Sequence, residues 1–234
     1  MKKILAINLS PRKNGTSSGL LTKCSEYLEG RECTVQRIDL YSHVDKLDKI
    51  HPLVNESDTL VLSGPCYVNT YPADTIRLLE EFKEHPEILH GQNLYGIIQG
   101  GMPYAHTHAS GLNMLKVFAG KVNVLYKGGF IMGLGALLDG QPLEKLPNGR
   151  IVTRHFAVFC GHIQKGEESP DSVYEAALLK VPGFVTWFLA KTMNHRIDKT
   201  YASRGMDAHT PNPYLNDDLT EIAEVPRLFQ RGRS

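Results

Sequence analysis

Lys3-Ile4-Leu5-Ala6-Ile7-Asn8-Leu9-Ser10-Pro11-Arg12-Lys13-Asn14-Gly15-Thr16-Ser17-Ser18 is the stretch on which the fold turns. The apolar run within Lys3–Leu9 is too short for a helix and reads as a strand. After a polar loop, Ser17–Glu29 places Leu20, Leu21, Cys24 and Leu28 on one helical face. The loop between them suits a phosphate. It enters a helix N-terminus, where free backbone N–H groups and the dipole favour an anion. Ser10, Asn14, Thr16, Ser17 and Ser18 supply short polar donors, Gly15 allows a turn with positive φ, and Arg12 offers a guanidinium fork. The stretch lacks both G-x-G-x-x-G and G-x-x-x-x-G-K-[ST], so a monophosphate ester fits better than a dinucleotide or a nucleoside triphosphate.

Working outward, further strands are expected at Thr34–Leu40, at Thr59–Ser63 before Gly64-Pro65, at Leu94–Ile98 before Gln99-Gly100-Gly101, and at Val122–Tyr126. Helices are expected at Ala73–Lys83, presenting Ile76, Leu79 and Phe82, and at Ser110–Ala119, stopped by Gly120. Strands alternating with helices imply βαβ units and a parallel sheet. The fold class is therefore α/β, a doubly wound open sheet of five strands. Ligands of such sheets sit beyond the carboxyl ends of the strands, where strand order reverses. Chemistry is expected in the loops after strands one, three and four.

Beyond the fifth strand the pattern changes. Lys127–Gly140 holds Gly128, Gly129, Gly133, Gly135 and Gly140. Ile151–Ile163 and Tyr174–Leu179 read as helical, and a longer helix starts near Pro182. Val185, Leu189, Met193, Ile197 and Tyr201 recur every four residues beside Phe184, Trp187 and Phe188, too broad an apolar face for a solvent-facing helix. It either packs on the sheet's flank or forms a subunit interface. Residues 1–206 are expected to form one domain, followed by an extended tail, 207–234, with Pro211, Pro213 and Pro226.

Composition excludes several classes. Hydrophobic residues at 41% and charged residues at 22% argue against disorder and fibrous repeats. Twenty-six Lys+Arg against 25 Asp+Glu leave a net +1, with no electrostatic footprint for nucleic acid or an anionic membrane. Cys24, Cys33, Cys66 and Cys160 lie far apart without a C-x-x-C, so no disulfide framework, metal site or iron–sulfur cluster is expected. Ile4–Ile7 stops short of a secretory core, and Phe184–Ala190 falls short of the ~20 apolar residues that span a bilayer. A reduced, cytoplasmic protein is expected.

Three ordered elements carry a resemblance. The first is Leu9-Ser10-Pro11-Arg12 running into Asn14-Gly15-Thr16-Ser17-Ser18. The second is Asp58, then Gly64-Pro65-Cys66-Tyr67-Val68-Asn69 and Pro72-Ala73. The third is Gly100-Gly101-Met102. Together, over roughly residues 1–130, the sequence resembles the NADPH-dependent FMN reductase family of the flavodoxin-like fold. The resemblance implies a sheet of order 2-1-3-4-5 with helices on both faces. It implies FMN as cofactor and NAD(P)H as co-substrate. Ser10, Arg12, Asn14, Thr16, Ser17 and Ser18 would hold the flavin phosphate. Pro65, Cys66, Tyr67, Val68 and Asn69 would line the isoalloxazine edge, with backbone N–H groups stabilising the anionic reduced ring. Gly100, Gly101 and Met102 would close the other side. A small-molecule electron acceptor and a homodimer or higher homo-oligomer are also implied. The chain departs from the family pattern at Leu9, where glycine is usual, and at Cys66, more often aliphatic.

Other residues read less specifically. Cys66 is either a flavin-tuning thiol or inert packing. If extended, His106-Thr107-His108 points both imidazoles the same way, as a metal pair or as rim histidines. His155 and His162 share a helix face. No nucleophile–base dyad emerges, which fits cofactor chemistry. The expectation is an FMN-dependent NAD(P)H oxidoreductase working by a ping-pong hydride transfer. The alternatives are a flavodoxin-type electron carrier, against which the charge of +1 speaks, and a scaffold that has lost the cofactor.

Overall fold

The structure, a computed structural model, describes residues 1–206. The tail expected from Asp207 lies outside the described residues. Strands β1 (Lys2–Asn8), β2 (Cys33–Asp39), β3 (Thr59–Pro65), β4 (Gln92–Gln99) and β5 (Val124–Met132) form one parallel sheet, ordered β2-β1-β3-β4-β5. The helices are α1 (Thr16–Leu28), α2 (His51–Asn55), α3 (Ala73–Glu84), α4 (His106–Ala119), α5 (Gly149–Lys165), α6 (Ser172–Glu175) and α7 (Gly183–Ser203). The order that the resemblance implies is the observed one, and β1 and β3 flank the point where it reverses.

The inner strands β1 and β3 carry apolar runs because both sheet faces are covered there, whereas the edge strand β2 is mostly exposed or half-buried. Every residue of β3 is buried, as are Ile4–Asn8 of β1. Neighbouring residues of β4 show the two layers, since successive side chains point to opposite faces. Tyr95 packs edge-on against Phe159 of α5, and its hydroxyl donates to the Glu167 carbonyl at 2.7 Å. Gly96 faces Leu112 and Leu115 of α4.

β5 differs from its expected span. It begins at Val124 and runs through the glycines to Met132. Gly128 has φ +108, and a Cβ there would lie 2.3 Å from the Ser169 carbonyl oxygen. The Ser169 amide donates to the Lys127 carbonyl at 2.7 Å, so a second segment lies against the strand at this point. The β4–β5 register shifts between Leu94 and Gly96, a bulge that glycine permits. What reads as loop composition is thus a bulged strand. Helices differ too: α4 begins at His106, one turn before Ser110. α2 was not legible in so short a segment. α6 starts earlier than Tyr174 and ends at Glu175, because Ala177 and Leu178 close i→i+3 turns onto Tyr174 and Glu175.

The loop after β3 is pinned by Tyr71, which is buried and donates its hydroxyl to the Ile97 carbonyl at 3.1 Å. Its ring lies over Gly64, where a Cβ would sit 2.7 Å from Tyr71 Cδ1 and 3.0 Å from Leu9 Cβ. Leu9, the departure noted above, is therefore accommodated by the absence of a side chain at position 64.

Met1–Lys180 form one compact unit, and α7 belongs to a second unit that begins at Val181. Of the second unit, α7 begins right after Pro182 as expected, and none of its residues is buried. Among the described residues, no helix is long and apolar enough to cross a membrane.

Gly64→Ala forces the Tyr71 ring or Leu9 to move. Overpacking of this kind costs about 1–3 kcal/mol. For a domain of this size each kcal/mol lowers the melting midpoint by roughly 2–4 °C. A thermal melt with an unchanged midpoint would refute the pinned-tyrosine account.

Candidate functional site

The first loop is shaped by its own short polar side chains. Asn8 Nδ2 donates to Asp39 Oδ1 (2.8 Å), the Ser10 amide donates to Asn8 Oδ1 (3.2 Å), and the Arg12 amide donates to Ser10 Oγ (3.1 Å). These Asx- and Ser-type turns deliver the chain to α1. Gly15 is the N-cap residue, no side chain caps the helix, and no acidic residue stands in its first turn. The start of α1 is thus an electropositive end without an internal counter-charge.

Three hydrogen bonds tie this turn to its surroundings. Thr16 Oγ1 donates to the Gly135 carbonyl (2.8 Å), Ser63 Oγ donates to the Ser17 carbonyl (2.9 Å), and Gln99 Nε2 donates to Ser17 Oγ (3.1 Å). The result is a crevice of about 200 Å³ lined by Ser10, Arg12, Gly15, Thr16, Pro65, Cys66, Tyr67, Gln99, Gly100, Gly101, Ala136 and Asp139. Loops after β1, β3 and β4 converge there. A larger hollow of about 720 Å³, near Lys2, Arg31, Glu32 and Lys165, lies where β1 and β2 begin. Open α/β sheets bind ligands at the other end, so the smaller crevice is the candidate.

Of the fourteen site residues read from sequence, eight line the crevice: Ser10, Arg12, Thr16, Pro65, Cys66, Tyr67, Gly100 and Gly101. Ser17 is buried beneath it, with its oxygen engaged by Gln99. Asn14, Val68, Asn69 and Met102 are exposed and Ser18 half-exposed, around or beside it. Gln99, Ala136 and Asp139 were not foreseen. Gln99 shows in sequence only as the last residue of a strand. Ala136 and Asp139 belong to the 133–140 segment, whose Thr16–Gly135 bond no motif announces.

The loop after β3 is a two-residue turn. The Tyr67 amide donates to the Thr70 carbonyl (2.7 Å) and the Thr70 amide to the Tyr67 carbonyl (3.2 Å). Val68 and Asn69 have φ of 49° and 64°. Such turns favour Asn-Gly. A β-branched valine there is strained by roughly 1–2 kcal/mol, and Val68 is 96% exposed. The Cys66 amide donates to the Gln99 carbonyl at 2.6 Å. The Cys66 and Tyr67 amides are therefore committed to the loop's own shape. Burial raises the Cys66 thiol pKa, opposed by the Asn69 amide, so it is no reactive thiolate.

Arg12 and Asp139 approach to 3.7 Å with both side chains largely exposed. Such a pair is weak and readily exchanged. Gln99 Oε1 is buried without a partner.

The His106–His108 pair reading fails. Both residues stand in the first turn of α4, where a two-residue step turns side chains by roughly 200°. His106 is exposed and stacks on Tyr104 at 5.5 Å. His108 is buried, with Nδ1 2.9 Å from the Tyr104 carbonyl. That contact assigns the proton to Nδ1 and leaves Nε2 as the acceptor. Nε2 lies 2.5 Å from where a Cβ of Gly100 would be, so His108 backs the crevice loop. Burial lowers its pKa, opposed by the bond to Tyr104.

Residues 2–131 match the family described as NADPH-dependent FMN reductase. No curated protein matches the chain in sequence. Among solved structures the fold is similar to that of an NADH:FMN oxidoreductase in apo form. Identity is 18%, covering 74% of this chain and 94% of that one, with a TM-score of 0.56. A flavone reductase shares 16% identity over 73% and 67%, TM-score 0.52. An oxidoreductase from Corynebacterium diphtheriae shares 14% over 70% and 96%, TM-score 0.52. At such identities the likeness is one of fold.

Because His108 binds a proton less readily folded than unfolded, its contribution to stability is present above about pH 6.5. It is lost as pH falls below that value. Stability should drop less steeply between pH 6.5 and 5 in His108→Gln than in the parent. Parallel slopes in denaturant titrations across that range would exclude a buried neutral imidazole.

Proposed function

Because the chain belongs to the NADPH-dependent FMN reductase family, we propose that it binds FMN in the crevice at the start of α1 and oxidises NAD(P)H. Electrons then pass to a small aromatic acceptor such as a flavin or quinone. The observation that carries this reading is the uncapped, acid-free first turn of α1, with Arg12 beside it, opening into the convergence of three loops.

The donor set fits the cofactor. The α1 amides, the Ser10 and Ser18 hydroxyls and the Arg12 fork would hold the phosphate dianion, with Arg12 released from Asp139. Thr16 contributes its amide only, since its hydroxyl is given to Gly135. Ribityl hydroxyls are donors, and Gln99 Oε1 is a buried acceptor without one. A crevice of about 200 Å³ is below the ~300–1,000 Å³ of enclosed ligand sites. It therefore grips the phosphate and ribityl end and leaves the ring along the Pro65–Asn69 turn.

When bound, the flavin supplies the two-electron chemistry, which the protein only positions. The 67–70 turn presents Tyr67 and Val68 as one wall of the ring site. The amides of Val68, Gly101 and Met102 are the groups we assign to the ring's polar edge, because those of Cys66 and Tyr67 are already spent. Tyr67 and Met102 are about half exposed, so one face stays open to solvent. Donor and acceptor then take turns at that face, a ping-pong cycle. The four free cysteines suit a reducing compartment, the cytoplasm.

Arg12→Ala should weaken FMN binding about tenfold, the cost of one exposed charge-assisted contact, and leave riboflavin binding unchanged. Asp139→Asn, which removes a carboxylate facing the anion, should tighten FMN binding a few-fold. Fluorescence titration reads both. Equal losses for FMN and riboflavin in Arg12→Ala would move the phosphate elsewhere. A flavin-loaded protein that fails to oxidise either NADH or NADPH would refute the enzymatic reading and leave an electron carrier.

The same reading includes a homodimer. α7 keeps Phe184, Trp187, Phe188 and Met193 at 59–75% exposure. Apolar area of that extent is seldom left to water, and a second copy of the helix is the occupant we assign to it. Light scattering should give twice the chain mass, and Trp187→Glu should shift it toward monomer. A constant monomer mass across concentrations would refute this.

A further inference from the structure

A cluster remote from the crevice remains unaccounted for. α3 runs from the carboxyl end of β3 back toward the amino end of β4, so its last turn lies at the opposite edge of the sheet from the first loop. There Glu81 and, one turn on, His85 meet His51 at the start of α2. The three ligand atoms lie within 4.8 Å of one another. Glu81 Oε1 is 2.7 Å from His51 Nε2 and 3.6 Å from His85 Nε2. The imidazole centroids are 4.6 Å apart.

We propose that His51, Glu81 and His85 form a binding site for a borderline divalent metal ion of the zinc type. Four observations carry it. The donor set is two imidazoles and one carboxylate, which suits zinc, nickel or copper rather than calcium or magnesium. Bonds of roughly 2.0–2.2 Å to one ion would hold the donor atoms roughly 3–3.5 Å apart. The spacings found straddle that value, so side-chain rotations suffice. His85 Nδ1 is 3.1 Å from Glu87 Oε1. A proton held there leaves the Nε2 lone pair facing Glu81, the carboxylate–histidine arrangement that orients metal ligands. Glu81 is four-fifths buried, and its ion-pair partners among the described residues are these two imidazoles, with no Lys or Arg.

An ion would sit at the negative end of the α3 dipole, a favourable place for a cation. Three protein ligands leave a coordination position for water, and the His85 side chain is 43% exposed. The ion would staple α2 to the end of α3, a structural role separate from electron transfer.

The test uses tag-free, full-length protein stripped with a chelator and titrated with Zn²⁺ by calorimetry. One ion per chain is expected, with a higher melting midpoint in its presence, because an ion that binds only the folded state stabilises it. Glu81→Gln and His85→Asn should each weaken binding at least tenfold. Glu87→Gln should weaken it about tenfold through the orientation of His85. Metal-free melts of each variant verify folding. An unchanged affinity in both Glu81→Gln and His85→Asn would place the ion elsewhere and overturn the proposal. So would a parent protein that takes up no stoichiometric Zn²⁺, leaving a proton-linked ion pair.

Discussion

The first turn of α1 is fastened to what surrounds it, and the candidate site depends on that fastening. Thr16 gives its hydroxyl to Gly135, beyond β5. Ser17 receives Ser63 from β3 on its carbonyl and Gln99 from β4 on its hydroxyl. Each bond contributes only about 1 kcal/mol net. Their common effect is geometric, since one helix start is fixed against segments from three other parts of the sheet. The strand order reverses beside it, so the loops after β1 and β3 diverge and leave a gap that hydrogen bonding cannot fill from within. What is left over is an uncapped helix start and a buried acceptor on Gln99. Both are unmet demands, and the phosphate and ribityl chain of the proposed cofactor would meet them.

A second constraint supports the first from below. Tyr71 reaches under the loop after β3 and bonds Ile97, and the Gly64 backbone closes over its ring. This holds the 67–70 turn at the lip of the crevice while Val68 keeps an unfavourable backbone conformation. Strain in an exposed residue persists only where neighbours over-determine it. Here the paired Tyr67 and Thr70 bonds and the tyrosine beneath do so. Position 9 can carry leucine for the same reason, because the space that glycine leaves at 64 is shared between Tyr71 and Leu9.

Legibility in the sequence followed the range of the forces concerned. The inner strands were readable because burial on both faces demands apolar runs, and the first loop because a helix start needs local polar groups. β5 was cut short because its glycines answer to Ser169 and to Leu112, partners distant in sequence. His106 and His108 misled for a related reason. Whether two residues two apart share a face depends on the backbone, and the helix begins one turn earlier than Ser110. The His51–Glu81–His85 cluster left no trace, since His51 stands thirty residues before Glu81 and only packing brings it to the end of α3.

The order of elements, the parallel sheet and the polar loop that opens α1 follow from the sequence alone, because periodicity and helix-start chemistry act over a few neighbouring residues. The tertiary structure alone decided which hydroxyls remain available. Thr16 and Ser17 read as equal phosphate donors, yet Thr16 donates its hydroxyl to Gly135, 119 positions away, and Ser17 is buried with its hydroxyl accepting from Gln99, 82 positions away. A side chain's donors are spent by whatever packs against them, and the sequence does not say what that is.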